Sequence, residues 1–295
     1  MKSGFVAILG RPNVGKSTLL NAILNKKVSI VTDKSQTTRN NIRGILNKDD
    51  AQIIFIDTPG IHHAKQRLSE EMNVMAYSTA HDVDVSLLVV DSSKPFGDDD
   101  QYLLEHLDIK GKPLIVVINK IDQSRINQVQ KIKDIYQQKL PEATIVETVA
   151  IDKFNLDVLI DKICHFLPEG PKYFEENVIT DKDEVFFIKE VIREKALKIL
   201  RDEVPHSIAI FVDNIEWEAN PITIQASIIV EKDSQKGIVI GSGGKRIKLI
   251  GTKARTDIEH YLKKHVFLEL EVKVEEDWRN KEQLLKTFGY KNEKQ

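Results

Sequence analysis

The stretch that decides the fold runs Phe5-Val6-Ala7-Ile8-Leu9-Gly10-Arg11-Pro12-Asn13-Val14-Gly15-Lys16-Ser17-Thr18-Leu19-Leu20. Its opening run is continuously apolar, as expected of a strand buried on both faces, and beyond Ser17 the residues Leu19, Leu20, Ile23 and Leu24 recur at helical spacing. Between them, Gly10 to Ser17 fits the pattern G-x-x-x-x-G-K-[ST] in full. Strand, glycine-rich loop and helix in that order form a phosphate cradle. The glycines let successive N–H groups and the helix N-terminus converge on one anion, Lys16 adds a mobile positive charge, and Ser17 offers a hydroxyl to Mg²⁺.

Outward from this loop, apolar runs alternate with helical patterns as far as residue 166, which predicts an α/β domain with a mainly parallel sheet and helices on both faces. Ile42 to Leu46 and Ala51 to Ile56 are joined only by Asn47-Lys48-Asp49-Asp50, so one strand of the sheet is expected to be antiparallel. Val85 to Val90, Leu114 to Ile118 and Ala143 to Glu147 supply the remaining strands. Leu167-Pro168-Glu169-Gly170-Pro171 breaks the pattern and reads as the start of a linker. Beyond it come a helix over residues 183–201, strands Ser207 to Val212 and Ile222 to Val230, a glycine-rich turn, a helix to about Lys264, a strand Val266 to Val274, and a short amphipathic tail. The expected boundaries are residues 1–167, a linker over 168–180, and a smaller α+β domain over 181–295.

A chain of 295 residues is long enough for about two domains. The net charge of −2 gives no bulk attraction to nucleic acid or membrane, so any such partner must be met by a local patch. The lone cysteine, Cys164, excludes an intramolecular disulfide framework and sits on an apparent amphipathic helix as a structural thiol. No apolar run reaches the roughly 18 residues of a membrane span, and the chain enters a strand too soon to leave room for a signal peptide, so a cytoplasmic protein is expected.

Two further motifs follow strands. In Asp57-Thr58-Pro59-Gly60, Asp57 can lean through water toward Mg²⁺ while the Gly60 N–H meets a γ-phosphate, a contact that exists only with the triphosphate bound. Asn119-Lys120-Ile121-Asp122 places a carboxylate where it can accept both donors on the N1 and N2 edge of guanine; adenine has no such pair. Together these residues resemble the translation-factor-like class of P-loop GTPases. The resemblance implies a GTP/GDP site made of Gly10 through Thr18, Asp57 through Ile61, Asn119, Lys120, Asp122 and Ala150, with Lys16, Thr38 and Gly60 acting on the transferring phosphoryl. Gln36-Thr37-Thr38-Arg39 looks like the first switch, and Mg²⁺ is expected on Ser17, Thr38 and Asp57, with Thr37 the alternative to Thr38. Ile61 stands where Ras-type enzymes carry a catalytic glutamine, and it cannot orient water. In similar GTPases an asparagine placed like Asn13 helps bind K⁺; the equal alternative is that Asn13 caps its own loop. Val149-Ala150 replaces the usual Ser-Ala pair, leaving the Ala150 N–H for guanine O6.

In the second half, Ile240-Gly241-Ser242-Gly243-Gly244-Lys245-Arg246 leads into a helix that also carries Lys248, Lys253 and Arg255, with no acidic residue between Gly241 and Arg255. A GXXG loop beside a single-sign basic helix is the arrangement with which KH modules clamp single-stranded RNA. Ile240 through Arg246 and Lys248 are therefore the candidate RNA-binding residues. A GTPase domain followed by one type II KH domain resembles the Era family of bacterial GTPases across nearly the whole chain. That resemblance implies binding to the 3′ end of small-subunit (16S) ribosomal RNA, a role in small-subunit assembly, a largely monomeric state and, in some members, peripheral association with the inner membrane. The competing reading is a signalling switch with a structural adaptor at its C-terminus. His62 and His63 fall in the second switch and are expected to be solvated there rather than general bases.

Overall fold

The computed structural model describes residues 1–48, 50–108 and 111–291. Asp49 of the predicted hairpin connection and the last four residues of the predicted second domain lie outside the described residues. The chain divides into two compact units, the first built mainly from residues up to Asp181 and the second mainly from Lys182 onward.

The first unit runs β1 (Lys2–Leu9), α1 (Lys16–Leu24), β2 (Ile42–Lys48), β3 (Ala51–Asp57), α2 (Arg67–Asp82), β4 (Val85–Asp91), α3 (Asp98–His106), β5 (Leu114–Asn119), α4 (Ile126–Lys139), β6 (Thr144–Glu147) and α5 (Leu156–Phe166). The strands form one sheet in the order β2-β3-β1-β4-β5-β6. Only β2 is antiparallel to its neighbour, as its short connection to β3 requires. Every residue of β3, β4 and β5 is buried, because helices cover both faces. On one face Leu19, Leu20 and Ile23 of α1 and Leu159 and Ile163 of α5 meet Val6, Ile8, Leu87 and Val117. On the other, Ala76, Leu103, Ile132 and Tyr136 from α2, α3 and α4 meet Leu88, Val90, Val116 and Ile118. Each fully buried Ile or Leu here is worth about 1.5–3 kcal/mol of apolar transfer. The two layers hold rigid the carboxyl ends of β1, β3 and β5, where the motif loops emerge, as ligand sites in such sheets require.

The predicted linker segment is tied down on this unit. Gln52, completely buried in β3, accepts from the N–H groups of Tyr173 and Phe174 at 2.7 and 3.0 Å and donates to the Phe174 carbonyl at 2.8 Å. The Ser3 hydroxyl donates to Pro171 O, the Ile45 N–H to Ile179 O, and Arg43 pairs with Asp181 at 2.9 Å.

The second unit runs α6 (Glu184–Ile199), β7 (Ala209–Glu216), β8 (Ile222–Val230), α7 (Asp233–Ile240), α8 (Lys245–Leu262), β9 (Val266–Val274) and α9 (Glu282–Thr287). Its sheet has the order β7-β8-β9, antiparallel then parallel. Asp183 caps α6 by accepting from the Phe186 N–H at 2.8 Å. The apolar lead-in Ile238-Val239-Ile240 is the last turn of a helix. Gln235 Oε1 accepts from the N–H groups of Glu231 and Lys232 and starts that helix, and Val239 is completely buried in it. The tail packs: Trp278, Leu285, Phe288 and Tyr290 are buried, and the Trp278 indole donates to Ser207 O at 2.8 Å.

Candidate nucleotide site and nucleic-acid interface

Four loops meet at the carboxyl end of the first unit's sheet. Lys16, buried at the start of α1, donates to the carbonyls of Gly10 and Arg11 at 3.1 and 2.9 Å, folding its ammonium back over the loop. Burial pulls this ammonium down to about 8, against the upward pull of Asp57. Asn13 has a left-handed backbone, with φ of 64°, and is exposed at the loop's crest. Val14 is buried in the core, so only its backbone faces outward, while Pro12 and Thr18 are half-buried. The Arg11 side chain is turned away from the loop's anion cradle: it pairs at 2.9 Å with Asp100 of α3, which also accepts from the Tyr136 hydroxyl and the Gly97 N–H.

Asp57 ends β3 completely buried. Its Oδ2 accepts from Ser17 Oγ at 2.6 Å, Ser29 Oγ at 2.9 Å and Thr38 Oγ1 at 3.4 Å, and Ser17 and Thr38 stand 2.9 Å apart. Burial pushes the carboxyl up, opposed by Lys16 and the three hydroxyls. Its other oxygen, Oδ1, is buried with no hydrogen-bond partner among the described residues. That orphaned oxygen beside two hydroxyls fits a hard divalent cation such as Mg²⁺, which takes oxygen ligands, one or two of them carboxylates, and completes its shell with water and phosphate. No group of three or more His, Cys, Asp or Glu among the described residues could hold a metal instead.

Beyond Asp57, Thr58 spends its hydroxyl on the Ile8 carbonyl at 2.8 Å, Pro59 is buried, and Ile61 turns into the core while its N–H donates to Gly10 O. Gly60 is packed so closely on the phosphate loop that a Cβ there would sit 2.7 Å from Pro12 N. His62 is not a solvated switch histidine as expected. It is half-buried, its Nδ1 lies 2.9 Å from Gly60 O and its Nε2 2.9 Å from Gln36 Nε2, so the ring bridges the two switch segments. His63 is exposed and rests on the Tyr102 ring.

On the base side, Asn119 is a buried staple: its Nδ2 donates to Val14 O at 3.0 Å, and its Oδ1 accepts from Thr148 Oγ1 and from the Ala150 N–H at 3.2 and 3.0 Å. The Ala150 N–H, expected on guanine O6, is thus engaged by Asn119. Lys120 donates to Asn13 O and to Asp91 Oδ2, both at 2.7 Å. Asp122 is exposed, with no hydrogen-bond or ion-pair partner among the described residues. Ser29 was not foreseen, because a serine inside Val28-Ser29-Ile30-Val31 carries no motif.

In the second unit, α7 ends at Ile240, half-buried, and the turn Gly241-Ser242-Gly243-Gly244 feeds α8. Ser242, Gly243, Lys245 and Lys248 are exposed. Arg246 instead donates its guanidinium to the Ile238 carbonyl, fixing the loop from behind. Beside the loop a groove of about 200 Å³ is lined by Ile247, Lys248, Gly251, Thr252, Arg255, Leu268 and Leu270. Its apolar wall on β9 went unassigned, although Leu268 and Leu270 alternate with Glu269 and Glu271 in the sequence.

A phosphate loop, two switch segments and a base loop on a mostly parallel sheet define a P-loop GTPase, here followed by a KH module. Residues 5–120 match the family model described as a 50S ribosome-binding GTPase, and residues 203–279 match that of the KH domain. GTPase Era of Staphylococcus epidermidis is 45% identical over 290 residues, 98% of this chain and 97% of its own length. A solved structure of Era with MgGDPNP and nucleotides 1506–1542 of 16S ribosomal RNA is 42% identical with a TM-score of 0.94, over 98% of this chain and 99% of that one. A variant of Aquifex aeolicus Era bound to GDP.AlF4⁻ is also 42% identical, with a TM-score of 0.93 over 98% and 99% of the two chains. The chain belongs to the Era family of GTPases.

Proposed function

We propose that this GTPase uses its nucleotide state to control a grip on the 3′ end of small-subunit (16S) ribosomal RNA, and that it acts in small-subunit assembly in the cytoplasm. The observation that carries the proposal is the exposed GXXG turn with its basic groove on the same chain as the nucleotide site. The family model's description names the large subunit, whereas the relative of 42% identity holds a small-subunit RNA segment, and the fuller match favours the small subunit. In the nucleotide site, Gly10 through Thr18 cradle the phosphates and Asp122 takes the guanine edge. Lys16 leaves the loop carbonyls for the β- and γ-oxygens, where its charge stabilises the transferring phosphoryl. Ser17, Thr38 and Asp57 would hold Mg²⁺, which supplies charge neutralisation on the same oxygens. The Gly60 N–H reads the γ-phosphate, and Ile61, buried in the core, takes no part in orienting water.

Binding of an RNA carrying the 16S 3′ end should therefore differ at least ~10-fold between the GTP-analogue and GDP forms, a coupling of ordinary allosteric size. Equal affinity in both forms and in nucleotide-free protein would leave a protein-recognising switch as the better reading. With no glutamine at Ile61, intrinsic hydrolysis is slow, and we expect K⁺ held beside Asn13 to stimulate it. Turnover in potassium should exceed turnover in sodium several-fold, by the charge stabilisation a fixed cation gives; equal rates would remove Asn13 from that role. The reading includes a largely monomeric protein and peripheral association with the inner membrane. No helix among the described residues is long and apolar enough to cross a membrane, and the tail's apolar face is spent on packing.

A further inference from the structure

Ser29 is a buried hydroxyl that none of the nucleotide motifs explains. It is 1% exposed and donates to Asp57 Oδ2 at 2.9 Å. Its backbone is fixed by Asn21, whose Oδ1 accepts from the N–H groups of Val28 and Ser29 at 2.9 and 3.0 Å and whose Nδ2 donates to Ser29 O at 2.7 Å. Asn21 lies one helical turn beyond Ser17 on α1. The helix that presents the first cation-facing hydroxyl therefore also locates Ser29.

Three hydroxyls meet Asp57 Oδ2, and Ser17 and Thr38 among them are assigned to the cation. Ser29 answers only to the carboxylate. The terminal torsion of an aspartate is broad and soft, so donors on one oxygen decide where the other points. Here the other, Oδ1, is the orphaned buried atom. We infer that Ser29, held by Asn21, is a positioning residue that sets the rotation of Asp57 and thereby the affinity of the nucleotide site for Mg²⁺. The inference rests on the reading of this site as a Mg²⁺–guanine nucleotide site.

Release of a fluorescent GDP from the full-length protein, followed across Mg²⁺ concentrations, tests it. Ser29→Ala should need ~10-fold more Mg²⁺ for half-maximal slowing of release, the usual cost of removing a group that orients a metal ligand, while release in excess chelator stays within about 2-fold of wild type. Asn21→Ala, which frees the Ser29 backbone but keeps its hydroxyl, should shift the midpoint the same way, and Ser29→Thr should restore it. Should Ser29→Ala not fold, the shift in Ser29→Cys, a weaker donor, decides the question. An unchanged Mg²⁺ midpoint in the folded variant overturns the inference. So does an equal loss of GDP affinity with and without Mg²⁺, which a merely structural serine would give. A wild-type protein whose GDP release ignores Mg²⁺ would overturn the site reading itself.

Discussion

Asp122→Asn should lower GTP affinity by ~10³-fold, since two hydrogen bonds to a charged acceptor, at about 1.5–3 kcal/mol each, are lost together. The turn Ile121–Gln123 leaves Asp122 exposed and uncommitted, so removing its charge costs the fold nothing the structure records. The asparagine amide can instead donate to a carbonyl at the 2-position. Xanthine nucleotides should therefore gain affinity as guanine nucleotides lose it. Competition between the two for the variant measures both at once, and undiminished GTP binding would mean that the base is read elsewhere. Asn119 would give no such clean result, because its amide ties Val14, Thr148 and Ala150 together and its loss would disturb three loops.

The second large effect belongs to the glycine turn. Gly243 and Gly244 have φ of 58° and 74°, and a Cβ on either would meet nothing within 4 Å. Aspartate tolerates the left-handed region at about 1–2 kcal/mol, so the pair Gly243→Asp and Gly244→Asp should fold. Two carboxylates would then stand where a phosphodiester backbone must approach. RNA affinity should fall at least ~100-fold, the loss of about two charge-assisted contacts, while GTP turnover without RNA is unchanged. Binding measured at one fixed salt concentration, beside a turnover assay, separates these outcomes. Undiminished RNA affinity would move the interface away from the turn.

What could be read from the sequence follows from where the physics is local. The phosphate loop, Asp57-Thr58-Pro59-Gly60 and Asn119-Lys120-Ile121-Asp122 each follow a buried strand, and a continuous apolar run ending in a glycine, an aspartate or an asparagine needs no tertiary information to interpret. Strand Val266 to Val274 is legible to the residue because Leu268, Leu270, Val272 and Val274 alternate with Glu269, Glu271 and Lys273. The contacts that escaped are those between segments distant in sequence. Ser29 reaches Asp57 across 28 positions and Arg11 is drawn off by Asp100, while Arg246 turns back across its own glycine turn to the Ile238 carbonyl, a local contact that the turn's backbone alone decides. For the two arginines the residue type is right for the assigned chemistry, and a partner supplied by the fold decides otherwise. α7 is hidden for a smaller reason: its start depends on Gln235 accepting from two backbone N–H groups, a cap that reads in the sequence as an ordinary polar run.

The hold of Gln52 on the Tyr173–Phe174 backbone bears on how the two halves can be separated for study. A chain stopped at Leu167, where the prolines invite a cut, would strand the carbonyl end of a fully enclosed amide, at about 1–3 kcal/mol, and leave its Nε2 only the Asn47 side-chain carbonyl oxygen at 2.7 Å. Dissection of the enzyme half should keep everything through Asp181. A shorter fragment that misbehaves would be reporting a missing strap rather than a dependence on the RNA-binding half.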